Sequence, residues 1–113
     1  MDIKDMFINK SPTMEMTGYE PITTFWRDFS VCDFFGDEEM LKKTYEIASN
    51  YAKSDYKKLT ELVIVLNHKL WEHYYAKHDK IARIYDKWWK EMDSYACNHL
   101  KGEELSYFYK TTD

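Results

Sequence analysis

The 113-residue sequence contains only three glycines and two prolines, the residues on which tight turns between short strands depend. This scarcity argues against a sandwich or barrel of many strands and favours long helices. Gly18, Gly36 and Gly102 are isolated from one another, so there is no glycine-rich loop for a phosphate or a dinucleotide. Neither a Cys-x-x-Cys nor a His-Glu-x-x-His pattern occurs, which leaves no recognised zinc motif.

Long apolar runs are also missing from the sequence. No run approaches the roughly 18 apolar residues of a membrane span. The N-terminal MDIKDMFINK lacks the basic and apolar regions of a signal peptide. We therefore expect a cytoplasmic protein that makes no membrane contact. Cys32 and Cys97 lie far apart and within predicted helices, which is typical of free thiols rather than of a disulfide.

Apolar periodicity predicts an all-α protein, a compact bundle of about four helices in a single domain over residues 1–113. An irregular arm over residues 1–23, containing both prolines, precedes the helices, and a short aromatic tail follows them. The tail is expected to add at most one further turn whose aromatic rings dock on the bundle. The helices are predicted at about 24–35, 37–53, 55–77 and 79–101.

Residues with strong capping preferences mark the ends of these helices. Gly36 and Gly102 are expected to end the first and fourth helices, because glycine adopts the left-handed conformation without steric cost. The predicted N-caps, in chain order, are Thr23 or Thr24, Asp37, Ser54 or Asp55, and Asp79.

The third predicted helix carries two apolar stripes, which indicates a central helix covered on two sides. Its segment LVIVL resembles a strand, but apolar positions continue at helical spacing on both sides of it. The short connection to the fourth helix predicts an antiparallel helical hairpin. One stripe contains Leu59, Val63, Leu66, Leu70 and Tyr74, and the other contains Ile64, His68, Trp71 and Tyr75.

The histidines and cysteines do not form a recognisable catalytic or metal site. His68, His73 and His78 are five residues apart, so on one helix successive rings point roughly 140° away from each other and cannot converge on one ion. No nucleophile elbow or oxyanion loop accompanies either cysteine. We therefore predict a protein that is not an enzyme and has no metal or cofactor, and rank a helical-bundle enzyme or metal protein third among the possible functions.

Aromatic residues make up 18% of the sequence, more than the core of so small a domain needs. Tyr and Trp are enriched at interfaces, because they combine a large contact area with a polar tip and few rotatable bonds. The surplus predicts a non-enzymatic protein-binding module, with self-association as an equally good use of the rings. The candidate anchors are Trp26, Trp89, Tyr107 and Tyr109, each of which has burial in the core as its alternative.

Acidic residues gather around the junction of the first two predicted helices. They are either a solvated helical turn or a negative patch for a basic protein surface, such as the nucleic-acid groove of a host enzyme. The candidate patch residues are Asp33, Asp37, Glu38 and Glu39.

A nucleic-acid-binding accessory protein is the second predicted function. Lys80, Arg83, Lys87 and Lys90 fall on one face of the fourth helix, as phosphate-contacting side chains would. Asp79 and Asp86 each precede one of these cations by four residues, the spacing of intrahelical ion pairs. The sequence pI of about 5.6 also opposes a nucleic-acid partner, so we favour a solvated face.

The segment from Thr60 to Tyr109, TELVIVLNHKLWEHYYAKHDKIARIYDKWWKEMDSYACNHLKGEELSYFY, resembles a family of small all-helical proteins carried by prophages and mobile elements of gut bacteria. The resemblance covers about half of the chain and brings no established catalytic residues. It implies a phage or mobile-element protein that binds and modulates or inhibits a host protein, such as a defence nuclease, in the manner of anti-CRISPR and other anti-defence proteins.

Overall fold

A computed structural model describes residues 20–112 of the chain, with side chains from residue 25 onward. Of the arm predicted over residues 1–23, residues 1–19 lie outside these described residues, and residues 20–23 belong to the first helix rather than to an irregular segment. All regular structure in the described part is α-helical, which confirms the prediction of an all-α protein. Residues 20–112 contain five helices instead of the expected four, because the predicted tail forms a helix of ten residues. The helices are α1 (Glu20–Phe35), α2 (Glu38–Ala52), α3 (Tyr56–Tyr75), α4 (Asp79–His99) and α5 (Glu103–Thr112).

The helix starts agree with the predicted N-caps at two of four positions. Asp37 Oδ1 accepts hydrogen bonds from the backbone nitrogens of Glu39 at 3.0 Å and Met40 at 3.2 Å, and Asp55 caps α3 in the same way. The prediction for α1 is wrong, because this helix begins at Glu20 and includes Pro21 in its first turn, where proline costs no hydrogen bond. Asp79 lies inside α4 rather than capping it.

Two helix ends depend on a residue in the left-handed conformation. Gly36 adopts a φ of +63° and ends α1 as predicted. The corresponding prediction for Gly102 is wrong, because α4 ends at His99 with Leu100 as its C-cap. The helix α3 ends two residues earlier than predicted, because Lys77 also adopts a φ of +63°. The Lys77 nitrogen then donates to the Tyr74 carbonyl, and the His78 nitrogen donates to the His73 carbonyl at 2.9 Å. This double closure of the helix end is a Schellman motif, made here without glycine.

The helix α3 lies at the centre of the fold and packs against all four other helices. Aromatic rings from three neighbouring helices meet beside it, and the buried Phe29 contacts Tyr85 edge to face at 5.7 Å. Trp88 stacks on Tyr45 with the ring centroids 4.2 Å apart. Phe108 of α5 is fully buried, which confirms that the C-terminal segment docks on the bundle.

Only one of the two apolar stripes on α3 is covered over most of its length. Leu59, Val63 and Leu66 are buried as predicted. In the other stripe, Trp71 and Tyr75 remain exposed, and no helix of the described chain covers them. The prediction that α3 is covered on both sides is therefore wrong for its C-terminal half.

Two further predictions concern the cysteines and the membrane. Cys32 and Cys97 are both free thiols, as expected, with Cys32 buried and Cys97 exposed. Burial raises the pKa of the Cys32 thiol to about 11, so it stays protonated at neutral pH.

Over the described residues, no helix has the length and apolar character needed to cross a membrane.

Candidate functional site

A buried lysine ties α1 to α3. Lys69 is only 1% exposed, and its ammonium lies 3.1 Å from a carboxylate oxygen of Asp33 and 3.1 Å from one of Glu72. The same ammonium donates to the Ser30 hydroxyl at 2.8 Å and sits 4.0 Å from the ring centroid of Trp26. Four partners around one ammonium offset the cost of removing its charge from water.

Two histidines and a tyrosine extend this arrangement. His73 Nε2 lies 3.0 Å from Asp33 Oδ2, and its Nδ1 lies 3.2 Å from the Nδ1 of His78. The His73 ring also stacks on Tyr85, whose hydroxyl donates to Asp33 Oδ1 at 3.1 Å. Burial, followed by the charge of Asp33, raises the pKa of Tyr85, so this hydroxyl remains a proton donor. We call this group the polar cluster: Ser30, Asp33, Lys69, Glu72, His73, His78 and Tyr85.

The meeting of His73 and His78 corrects a prediction. The two rings were expected to diverge, because the helix was predicted to continue to residue 77. Since α3 ends at Tyr75 and Lys77 reverses the chain, the rings face each other instead. The two residues occupy the positions at which a Schellman motif usually places an apolar contact.

Asp33, Glu72 and His73 have the side-chain spacing of a metal site, with donor atoms within 4.8 Å of one another, and are the only such group in the described chain. The Lys69 ammonium, however, lies 3.1 Å from each of the two carboxylates. A metal ion bound by these carboxylates would have to displace a fully partnered buried lysine. The residues present therefore fit an internal cation better than a bound metal ion.

Two phenylalanines project from the end of α1, directly after Asp33. The Phe34 side chain is 84% exposed and that of Phe35 is 62% exposed, and the two rings meet edge to face at 5.3 Å. We call this pair the phenylalanine knob. A cavity of about 330 Å³ lies beside it, with Phe34 as one wall and residues of the polar cluster, among them Glu72 and His78, on the others.

The predicted aromatic anchors occupy three different places. Trp26 is half-buried against Lys69 and the ring of His68. Tyr107 is half-buried and packs edge to face on Tyr56 at 5.4 Å. The structure brings only two of the four anchors together, since Trp89 and Tyr109 line one groove between α3, α4 and α5.

The predicted acidic patch is largely engaged within the protein. Asp33 belongs to the polar cluster and Asp37 caps α2. Glu38 lies 3.0 Å from the Lys80 ammonium and 3.8 Å from that of Lys42. Glu39 is exposed. The four carboxylates therefore do not act as one solvent-facing patch.

The basic face of α4 is engaged in a similar way. Lys80 pairs with Glu38, and Lys90 pairs with Asp86 at 2.9 Å, as the spacing predicted. Arg83 Nε lies 3.4 Å from the carbonyl oxygen of Asp79 rather than from its carboxylate. Lys87 is exposed. Neutralised lysines release fewer counterions from a phosphate backbone, which weakens the nucleic-acid alternative.

Sequence reasoning missed the phenylalanine knob and the lysine at the centre of the polar cluster. Phe34 and Phe35 fall within the first predicted helix, and the sequence analysis assigns them no role. Their position immediately before Gly36 was the available signal, because the last turn of a helix projects side chains beyond its neighbours. Lys69 carries no sequence signal, since its burial depends on helix α1.

Comparison of the chain with protein-family models, with curated proteins and with solved structures gives no match in any of the three.

Proposed function

We propose that this protein is a non-enzymatic protein-binding module and that its partner docks on the phenylalanine knob. The observation that carries the proposal is the 84% exposure of Phe34 beside the fixed side chain of Asp33. An exposed aromatic ring on a rigid support is the usual form of an interface hot spot, because it buries a large area at little cost in conformational entropy.

Contacts on both sides of the knob support its rigidity. Before the knob, Asp33 contacts Lys69, His73 and Tyr85. After it, the nitrogen of Gly36 donates to the carbonyl oxygen of Cys32 at 2.9 Å. The backbone that presents the rings is therefore ordered before any partner arrives, and little ordering cost is left for the binding step.

The surroundings of the knob indicate the chemistry of the partner. Glu39 is exposed after the knob, and the half-exposed Glu72 lies on the wall of the neighbouring cavity. A partner surface with an apolar pocket and lysines or arginines on its rim would complement this arrangement. Such a rim is found on nucleic-acid-binding grooves, which agrees with the host defence nuclease that the family resemblance implies as a target.

The test is quantitative affinity capture from a nuclease-treated lysate of the organism that encodes the protein. The double variant Phe34→Ala/Phe35→Ala is compared with the wild type and with Tyr51→Ala, which removes a 42% exposed ring from α2. We expect one host protein to be recovered with the wild type and with Tyr51→Ala, and at least about tenfold less with the knob variant.

Circular dichroism of all three proteins checks that the helical content is unchanged. Equal recovery of the host protein with the knob variant would remove the knob from the binding surface. Recovery of no host protein under any condition would argue against a module for foreign partners.

A further inference from the structure

A second set of exposed aromatic rings lies on α3, away from the phenylalanine knob. Trp71 is 46% exposed, Tyr74 56% and Tyr75 76%. The Trp71 ring contacts those of Tyr74 at 5.5 Å and Tyr75 at 5.9 Å. We call these three residues the aromatic ridge. At roughly 100° per residue, Trp71 points about 160° and Tyr75 about 120° away from Lys69 around α3, so both rings face away from the buried lysine of the polar cluster.

A groove of about 430 Å³ opens between α3, α4 and α5. Ile64 and Asn67 of α3 form one wall of the groove. Trp89 and Cys97 of α4 form a second wall, and Tyr109 of α5 closes the groove with its hydroxyl 3.7 Å from the Cys97 sulfur. The groove therefore presents a mixed surface, in which aromatic and aliphatic side chains lie beside polar ones such as Asn67, Asp93 and Thr111.

The ridge and the groove lie along one face of the same helix. Ile64, Asn67, Trp71 and Tyr74 follow one another at steps of three and four residues, which places them on one side of α3. A separation of seven residues between Ile64 and Trp71 corresponds to about 10 Å along the helix axis. This face of α3 therefore carries the aromatic ridge near its C-terminal end and the groove closer to its N-terminal end.

We propose that two copies of this chain associate through this face, with the ridge of each copy seated in the groove of the other. A twofold axis that passes between His68 and Trp71 exchanges the two halves of the face. It brings Trp71 opposite Asn67 and His68 of the second copy, and Tyr74 and Tyr75 opposite Val63 and Ile64. Such an interface is self-complementary, as twofold symmetry requires.

The exposed area is sufficient for a dimer of moderate affinity. Aromatic side chains bury about 150–250 Å² each, so the exposed fractions of the three rings leave on the order of 350 Å² per copy. Each ring surface covers a similar area of groove wall, and symmetry supplies two such contacts. The total is about 1,400 Å², within the range of specific interfaces and consistent with a micromolar Kd.

The charges on this face also favour a second copy. Each chain carries a net charge of −4, so two copies repel unless their contact surface avoids like charges. The ridge carries no ionisable acid or base other than its two tyrosine hydroxyls. Among the described residues that line the groove, Asp93 is the only carboxylate and there is no lysine or arginine.

Sedimentation velocity of the full chain at about 1 to 200 µM tests the association. We expect the wild type to shift with concentration from its monomer mass of 13.8 kDa towards about twice that value. The ridge variant Trp71→Ala/Tyr75→Ala and the groove variant Asn67→Arg should each dimerise at least about tenfold more weakly. The knob variant Phe34→Ala/Phe35→Ala is the matched control and should dimerise like the wild type.

Mixing the two weakened variants tests the geometry. A mixed dimer keeps one intact contact, formed by the ridge of the groove variant and the groove of the ridge variant. The equimolar mixture should therefore associate more strongly than either variant alone. If the mixture associates no more strongly than either variant alone, the ridge of one copy does not bind in the groove of the other.

A wild type that stays monomeric over the whole concentration range would overturn the dimer itself. In that case the ridge-and-groove face of α3 would be free to bind residues 1–19 of the chain or a different protein. None of these outcomes depends on the phenylalanine knob, so the dimer and the proposed function can fail separately.

Discussion

We predict that a buried, protonated Asp28 makes the stability of this protein depend on pH, and that the substitution Asp28→Asn removes this dependence. Asp28 is 4% exposed, and its Oδ1 has no hydrogen-bond partner among the described residues, although the guanidinium of Arg27 lies 3.7 Å away. Burial raises the pKa of this carboxyl to about 8, against an effect of Arg27 that lowers it. The folded protein therefore holds a proton at Asp28 that the unfolded chain, with a pKa near 3.8, has lost at neutral pH.

The sign and size of the effect follow from proton linkage. Between the two pKa values the folded state binds more protons, so the free energy of unfolding decreases as the pH rises, by about 1.4 kcal/mol per unit at most. From pH 5 to pH 8 the wild type should lose up to about 4 kcal/mol from this group alone. This loss is a large part of the stability expected for a domain of this size.

Asp28→Asn keeps the side-chain volume and removes the charge. Urea denaturation of both proteins at half-unit steps of pH gives two stability curves, and their difference isolates Asp28 from every other titrating group. We expect the curves to lie close together near pH 5 and to separate steadily above it, with the variant the more stable protein at pH 8. Parallel curves from pH 5 to pH 8 would refute the assignment of a buried, protonated Asp28.

Two further predictions concern lysines. Lys69→Met should lower the free energy of unfolding by about 2–4 kcal/mol, because the nearly buried Asp33 loses its cation while the half-exposed Glu72 can turn to solvent. The double variant Lys69→Met/Asp33→Asn should regain part of this loss in urea denaturation, and the absence of any recovery would contradict the pairing. Lys77→Gly should raise the melting temperature, since a left-handed lysine costs about 1 kcal/mol. Gly102→Ala, also left-handed and with open space around it, should lower the melting temperature, and equal effects of the two substitutions would contradict the backbone argument.

Local signals in the sequence predicted the parts of the fold that local physics determines. Asp37 and Asp55 cap helices because a short side chain next to an apolar periodic segment satisfies free backbone nitrogens without help from elsewhere in the chain. Gly36 ends α1 for a similarly local reason. The end of α3 has no such marker, since a lysine occupies the position where glycine is usual, and the predicted helix was accordingly too long.

The candidate site was less accessible to prediction, because its residues become special only through tertiary contacts. Lys69 is an unremarkable lysine until α1 places Asp33 and Ser30 against it. The aromatic surplus correctly suggested exposed rings. It could not separate Phe34 and Tyr75, which are exposed, from Phe29 and Tyr85, which are buried, because all four lie at helical positions compatible with either environment.

The buried lysine also limits how the helices can slide against each other. An apolar contact between two helices tolerates a shift of one turn, about 5.4 Å, because one leucine or phenylalanine can replace another. The same shift of α1 along α3 would carry Asp33 away from Lys69 and leave the buried ammonium with Glu72, from its own helix, as its remaining carboxylate. Breaking a buried ion pair by removing one partner costs about 3–5 kcal/mol, so the contact between Lys69 and Asp33 favours one alignment of the two helices over an alignment shifted by one turn.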